Sequence, residues 1–286
     1  RGLGDVYKRQ VRTGATLKWF DLDSEGRILS NTADEVITER TKIVAVTHVG
    51  NTTGAITDIA PMVKRAHEVG AVVVLDACQS VPHLKIDLHA LDVDFAAWSA
   101  HKMYGPTGVG FLYGKRDMLE ALPPANFGGS MVELAWMDQE AQYMAPPARF
   151  EAGTQPVAQV VAAGVAAEWL MNIGMENLEA HERVIAGELL KMGQIDGVRI
   201  LGPQTNEQRI GTVAFEIDGV HPHDVGQFID AQGIAIRVGH HCAQPVHRHF
   251  GVYASNRASS GIYNSVEDAQ ALVEALKKVR PFFGVE

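Results

Sequence analysis

The chain has 286 residues, 46% of them hydrophobic and 21% charged. This is the composition of a folded globular protein of about two domains, and it excludes a disordered tail, a collagen-like rod and a coiled coil. No apolar run reaches the roughly 20 residues of a membrane span, and a net charge of −9 argues against non-specific binding to nucleic acid or to an anionic membrane.

Residues 1–10 carry no helical or strand period and no apolar stretch of the kind a signal peptide needs. They are read as a foreign junction or a broken gene end, outside the fold. The first element is Ile43–Thr47, ending at His48, a β-rich apolar run that suits a strand buried on both faces. Asp58 is placed to cap a helix whose apolar positions Ile59, Met62, Val63 and Ala66 follow a helical period, and Gly70 stops it. Residues 71–75 form a second buried strand ending at Asp76. Residues 93–98 form a third ending at Ser99, and 108–113 a fourth. Residues 123–147 lack a period and are expected to be a long loop. Helices are expected at 157–172 and 177–192. Strands follow at 198–201 and Thr212–Ile217, then a helix near 223–232, a strand at 234–238 and a closing helix at 266–279.

Strands alternating with helices imply an α/β fold. The expected architecture is a mostly parallel sheet in a large domain over 11–172, followed by a smaller α+β domain over 173–286. In such sheets ligands sit beyond the carboxyl ends of the strands. His48, Asp76 and the run Ser99-Ala100-His101-Lys102 all fall at those ends. Two cysteines make no disulfide scaffold, so a reducing, cytoplasmic setting is expected.

Four groups could carry chemistry. Lys102 follows a buried strand and precedes Gly105-Pro106. A desolvated lysine there can form a Schiff base. Taken alone, a lysine snorkelling to the surface is the better reading. Asp76 ends a strand of valines and leucine and needs a positive partner or several donors, because burying a carboxylate unpaired is costly. A protonated pyridine nitrogen would serve; so would a helix end or a structural ion pair. Gln79 and Lys102 beside it sharpen the pattern. Cys242, in Arg237-Val238-Gly239-His240-His241-Cys242-Ala243, lies among basic residues after a strand, features that favour an accessible, ionisable thiol, whereas Cys78 is expected to be packed. Zinc is the rival there, since His240, His241, Cys242, His247 and His249 lie close together, but their spacing fits no standard zinc pattern. Arg257 is of a type suited to gripping a carboxylate with two parallel hydrogen bonds. Gly128-Gly129-Ser130 lacks the strand and helix that a phosphate loop requires, and no nucleotide fingerprint is present.

Together, His48-Val49-Gly50-Asn51, Asp76-Ala77-Cys78-Gln79-Ser80, Ser99-Ala100-His101-Lys102-Met103-Tyr104-Gly105-Pro106, Arg149-Phe150-Glu151-Ala152-Gly153-Thr154 and the Cys242 motif resemble the Suf-type (group II) cysteine desulfurases. These are also called selenocysteine lyases. They belong to the class V aminotransferase branch of fold type I enzymes, which use pyridoxal 5'-phosphate.

The resemblance implies that Lys102 bonds the cofactor and later shuttles the Cα proton. Asp76 would pair with the pyridine nitrogen, and Asn51 and Gln79 would lie near the phenolic oxygen. Ser99 and His101 would hold the phosphate, with Thr154 reaching the phosphate of the partner subunit in a homodimer. Arg257, with Arg237 nearby, would hold the substrate carboxylate, and Cys242 would take the sulfur. The implied substrate is L-cysteine, with L-selenocysteine as a further candidate. The implied recipient is a SufE-like or SufU-like acceptor serving iron–sulfur cluster assembly.

The sequence departs from the family in lacking roughly a hundred residues before Val11 (a domain-scale segment). Those residues would supply a further phosphate turn and a histidine stacked on the cofactor ring, so these 286 residues alone are expected to bind the cofactor weakly. Ala100 stands where glycine is usual. The alternatives are another class V lyase or aminotransferase using Lys102 and Asp76, or a non-catalytic fragment.

Overall fold

A computed structural model describes residues 13–285; the segment 1–10 set aside above lies outside them. The first sheet contains β1 (Ile43–Thr47), β2 (Val72–Asp76), β3 (Phe95–Ser99) and β4 (Gly110–Gly114), in that spatial order. The first three are parallel and β4 returns antiparallel to β3, giving the mostly parallel sheet expected. Helix α1 (Ala60–Glu68) crosses between β1 and β2. Its Met62, Val63 and Ala66 are buried against Val44, Val46, Val73, Leu75 and Ala96. Asp58 accepts the Ala60 N–H at 3.1 Å, and Gly70 follows the helix at φ +71°, so both ends form as their residue types dictate.

The expectation of strands buried on both faces needs correction. Ile43 is 64% exposed, and burial alternates along both β1 and β2. Successive side chains point to opposite faces, and α1 covers one of them. Residues 123–147 are likewise more than a loop. Val132–Leu134 (β5) and Gln142–Tyr143 (β6) pair as a short, largely exposed antiparallel ribbon.

Helices α2 (Val157–Ile173) and α3 (Met175–Leu190) lead into the second sheet. Among the described residues no single helix is long and apolar enough to cross a membrane; these two would reach that length only as a pair bent by 78°. The second sheet has the order β7 (Val198–Ile200), β8 (Thr212–Ile217), β10 (Ser255–Ser259), β9 (Arg237–Gly239), antiparallel throughout. Helix α4 (Pro222–Asp230), the short α5 (Gln244–His249), α6 (Val266–Leu276) and α7 (Val279–Phe283) complete it. The expected strand at 234–238 is confined to Arg237–Gly239, and the expected closing helix at 266–279 breaks in two. The core of this part joins Ile185, Leu189, Val213, Phe215, Ile229, Leu272 and Leu276. Fully burying side chains of this size contributes about 1.5–3 kcal/mol each. The α6 end is fixed by a capping box, with the Ser265 hydroxyl accepting from Asp268 N–H and the Asp268 carboxylate accepting from Ser265 N–H.

Candidate active site

Parallel pairing brings three strand ends to one level. Thr47 lies opposite Asp76, and Asp76 opposite Ala97. The Asp76 carbonyl accepts the His48 N–H at 3.0 Å, so the loop after β1 starts beside the end of β2. The Asp76 side chain is exposed and accepts the Cys78 N–H at 2.9 Å; among the described residues no cation pairs with it. His48 itself is buried with Nδ1 unpartnered, and burial lowers its pKa.

Ser99 ends β3 and the chain turns at once through a 3₁₀ segment, Ala100–Lys102. The Ala100 carbonyl accepts from both Met103 N–H at 2.9 Å and Gly105 N–H at 3.0 Å. A Cβ on Gly105 would stand 3.0 Å from that carbonyl oxygen, which explains a glycine there. Ala100 fills the buried centre of the turn, and His101 and Lys102 point outward, exposed. The desolvated lysine considered above is therefore not found: among the described residues nothing covers Lys102, as the surface reading held. The half-buried Cys78 thiol ties these groups together. Burial and the Asp76 carboxylate push its pKa up, while Lys102 and Ser99 push it down. Asp76 and Ser99 therefore lie beside this sulfur, with Lys102 within electrostatic reach of it.

The second half of the site comes from the C-terminal sheet. Arg237 and Arg257 are paired across β9 and β10. Arg257 donates from Nη1 to the Asn51 carbonyl at 2.9 Å, and Asn51 donates from Nδ2 to the His241 carbonyl at 2.6 Å. The loop after β1 is thus stitched to the segment holding Cys242. Burial lowers the Arg257 pKa and Arg237 adds to that, whereas Cys242 raises it, so sulfur and guanidinium are within electrostatic reach. The Arg257 Nε is buried without a partner.

Cys242 itself is exposed. It occupies a turn in which Ala243 N–H returns to the His240 carbonyl at 2.8 Å, with His241 at φ 50° and Cys242 at φ 61°. Two central residues at positive φ mark a turn of the I′ class, which ordinarily takes Asn or Gly. For other residues the left-handed region costs roughly 1–2 kcal/mol each, so the surroundings must hold the turn.

The sequence did not single out what holds it. His241, fully buried, meets the Ser255 hydroxyl from Nε2 at 3.0 Å; His247 meets the same hydroxyl from Nε2 at 2.9 Å and the Ala243 carbonyl from Nδ1 at 3.0 Å. The histidine-rich composition was visible, but only as a zinc rival whose spacing fitted no standard pattern. Among the described residues no group of His, Cys, Asp and Glu is arranged to hold a metal ion.

Of the remaining expected residues, Gln79 is half-buried at the Asp76 side, and Thr154 is exposed before α2. Among the described residues, Gln79, His101 and Thr154 make no hydrogen bond to the groups above.

The aminotransferase class-V family model matches residues 6–272. Two curated relatives are a "Probable cysteine desulfurase 2" from Mycobacterium leprae, 49% identical over 276 residues, and a "Probable cysteine desulfurase" from Streptomyces coelicolor, 46% identical over 274. The matches cover 96% of this chain in both cases, and the chain spans 65% of the length of each relative. Among solved structures, the cysteine desulfurase CsdA from Escherichia coli superposes with a TM-score of 0.92 at 34% identity, over 98% of this chain and 69% of that one. The apo cysteine desulfurase from Thermococcus onnurineus superposes with a TM-score of 0.93 at 31% identity, over 98% and 70%.

Proposed function

The chain belongs to the class-V aminotransferase family, and from that premise we propose that it carries the catalytic core of a cysteine desulfurase, which takes sulfur from L-cysteine and leaves L-alanine. The carrying observation is the exposed Cys242 held on a strained turn that is bonded to Asn51, beside the arginine pair. That presentation suits a nucleophile approached by both a small substrate and a protein acceptor.

The family's cofactor is pyridoxal 5'-phosphate, and the residues present fit it. An amine, a carboxylate that no cation pairs among the described residues and a hydroxyl lie together where the parallel strands end, with the His101 imidazole on the same turn. When bound, the cofactor supplies an electron sink for the substrate Cα. Lys102 would hold it covalently, Asp76 would keep its ring nitrogen protonated, and Asn51 and Gln79 would sit by its phenolic oxygen. Ser99 and His101 would bind its phosphate, with Thr154 serving the partner's phosphate in a homodimer.

Each residue's work follows from its chemistry. Arg257, half-buried and with Nε unpartnered among the described residues, offers the substrate carboxylate a pair of donors, and Arg237 adds charge beside it. Lys102, once free, moves the proton at Cα. The Cys242 thiolate attacks the substrate sulfur: the new S–S bond forms as the Cβ–S bond breaks. The electron pair of that bond stays with the substrate carbon, which is protonated on the way to alanine. Cys242 is left as a persulfide, to be passed to a SufE-like or SufU-like acceptor for iron–sulfur cluster assembly. L-selenocysteine is the analogous selenium substrate. Two free cysteines support a reducing, cytoplasmic setting.

Sulfide release from L-cysteine, with reductant present, tests the reading. Cys242→Ala should lose release while keeping cofactor absorbance. Full release by that variant would favour a class V lyase that uses no protein persulfide.

A further inference from the structure

The hydrogen bonds around the Cys242 turn have a direction. A carbonyl oxygen only accepts, so the Ala243 carbonyl requires a proton on His247 Nδ1. His247 is buried, and in a neutral imidazole protonated on Nδ1 the other ring nitrogen is an acceptor. Its Nε2 is then bare and accepts from the Ser255 hydroxyl. The Ser255 oxygen in turn accepts from Nε2–H of His241. The chain therefore ends at His241 Nδ1, which carries a lone pair and has no partner among the described residues.

This relay touches the turn at both ends. It grips the carbonyl of Ala243, just after Cys242, and the ring of His241, just before it. Ser255 pairs with Gly239 and Arg257 with Arg237 on the same strand pair, and Ser255 and Arg257 share one face of β10 two residues apart. The strand that grips the turn is the strand that carries Arg257.

We propose that Ser255 and His247 are positioning residues for the sulfur-accepting thiol: their directional relay locks the His240–Ala243 turn and so keeps the Cys242 thiolate beside Arg257 and Arg237. The proposal rests on the assignment of Cys242 as nucleophile, but its consequences appear in the thiol itself, without cofactor or turnover. The groups facing the turn are Arg237 on β9, Arg257 on β10, His240 and His247 on the turn's own segment, Tyr253 against the His240 ring at 4.8 Å, and the uncharged Asn51 from the first sheet.

Two measurements on the full chain test this. Nitrogen-15 spectra of the histidine-labelled, unmutated chain should show His247 protonated on Nδ1 and His241 on Nε2. The rate of Cys242 alkylation by iodoacetamide, followed on its own peptide so that Cys78 does not interfere, should be measured against pH. Ser255→Ala and His247→Leu should each lower that rate at pH 7 at least threefold (about 0.7 kcal/mol). Ser255→Thr, which keeps the hydroxyl, should recover most of it. Thr212→Val, a buried hydroxyl lost from β8 in the same sheet, should change nothing.

Superimposable profiles for Ser255→Ala and the unmutated chain would overturn the proposal. So would the opposite tautomer at His247, a result that needs no variant to fold. Absence of sulfide release from the unmutated chain, with these readouts as expected, would instead count against the desulfurase reading alone.

Discussion

The two halves of the site are built in opposite ways. At the ends of β2 and β3, functional groups stand on regular strands and one 3₁₀ turn, and Asp76 and Lys102 are exposed with few partners. At the Cys242 turn, the proposed nucleophile sits in left-handed backbone, braced by Asn51, His241, Ser255 and His247. The first half places its groups by topology, since parallel pairing alone levels Thr47, Asp76 and Ala97. The second places its group by strain held in a buried network. Substitutions in the first half should therefore remove chemistry, and substitutions around the second should misplace it.

The largest expected effect is at Lys102. Lys102→Ala should abolish cofactor attachment and lower cysteine turnover by about a thousandfold or more, as loss of a covalent catalytic group does. Retained turnover would dissolve the distinction between the halves. Cys242→Ala should lower sulfide release by about a hundredfold while the cofactor absorbance stays; loss of both would show that the turn also builds the cofactor site.

Asp94, just before β3, is 2% exposed. It accepts Val73 N–H at 2.7 Å and meets His67 at 3.1 Å and Lys115 at 2.9 Å. Burial raises its pKa, but these partners outweigh it and the net shift is downward. Asp94→Ala should destabilise the sheet that carries the first half by about 3 kcal/mol, read by urea denaturation. A folded-state pKa below the unfolded one means that Asp94 stabilises the fold above its unfolded value of 3.8, and that this is lost as pH falls through the folded value.

Arg257→Lys should raise KM for cysteine by about tenfold with less change in kcat, because the ammonium cannot reproduce a bidentate grip. Equal losses in both parameters would move Arg257 into the transition state. The last effect concerns acid. Burial, with Arg257 adding to it, depresses the His241 pKa from 6.5 to about 3. Between those values the unfolded chain binds a proton that the native one refuses, so stability should fall as pH drops from 6.5 towards 3. His241→Gln should flatten that part of the stability curve; an unchanged slope would assign the acid sensitivity to the carboxylates.

Legibility in the sequence followed the same division. β1, β2 and α1 were readable because valines and isoleucines alternate with a helical period between them, and the site residues followed as strand ends. That one face of β1 is open was not readable, because Ile43-Val44-Ala45-Val46 is apolar on both faces whichever is covered. β10 escaped because Ser255-Asn256-Arg257-Ala258-Ser259 reads as a polar loop, although Ser255 and Asn256 are fully buried. The I′ turn escaped for a related reason. The usual signal is Asn or Gly, and here His and Cys take positive φ under tertiary constraint. The role of the histidines escaped because composition carries no information on which ring nitrogen meets which oxygen.

The central claim is that the amine at 102 and the carboxylate at 76 address one aromatic cofactor. The chain should be mixed with saturating pyridoxal 5'-phosphate, reduced with borohydride and mapped by peptide mass. The account predicts the pyridoxyl group concentrated on Lys102, with its yield sharply reduced in Asp76→Ala. A label spread over the other lysines according to their exposure, and indifferent to Asp76, would contradict it.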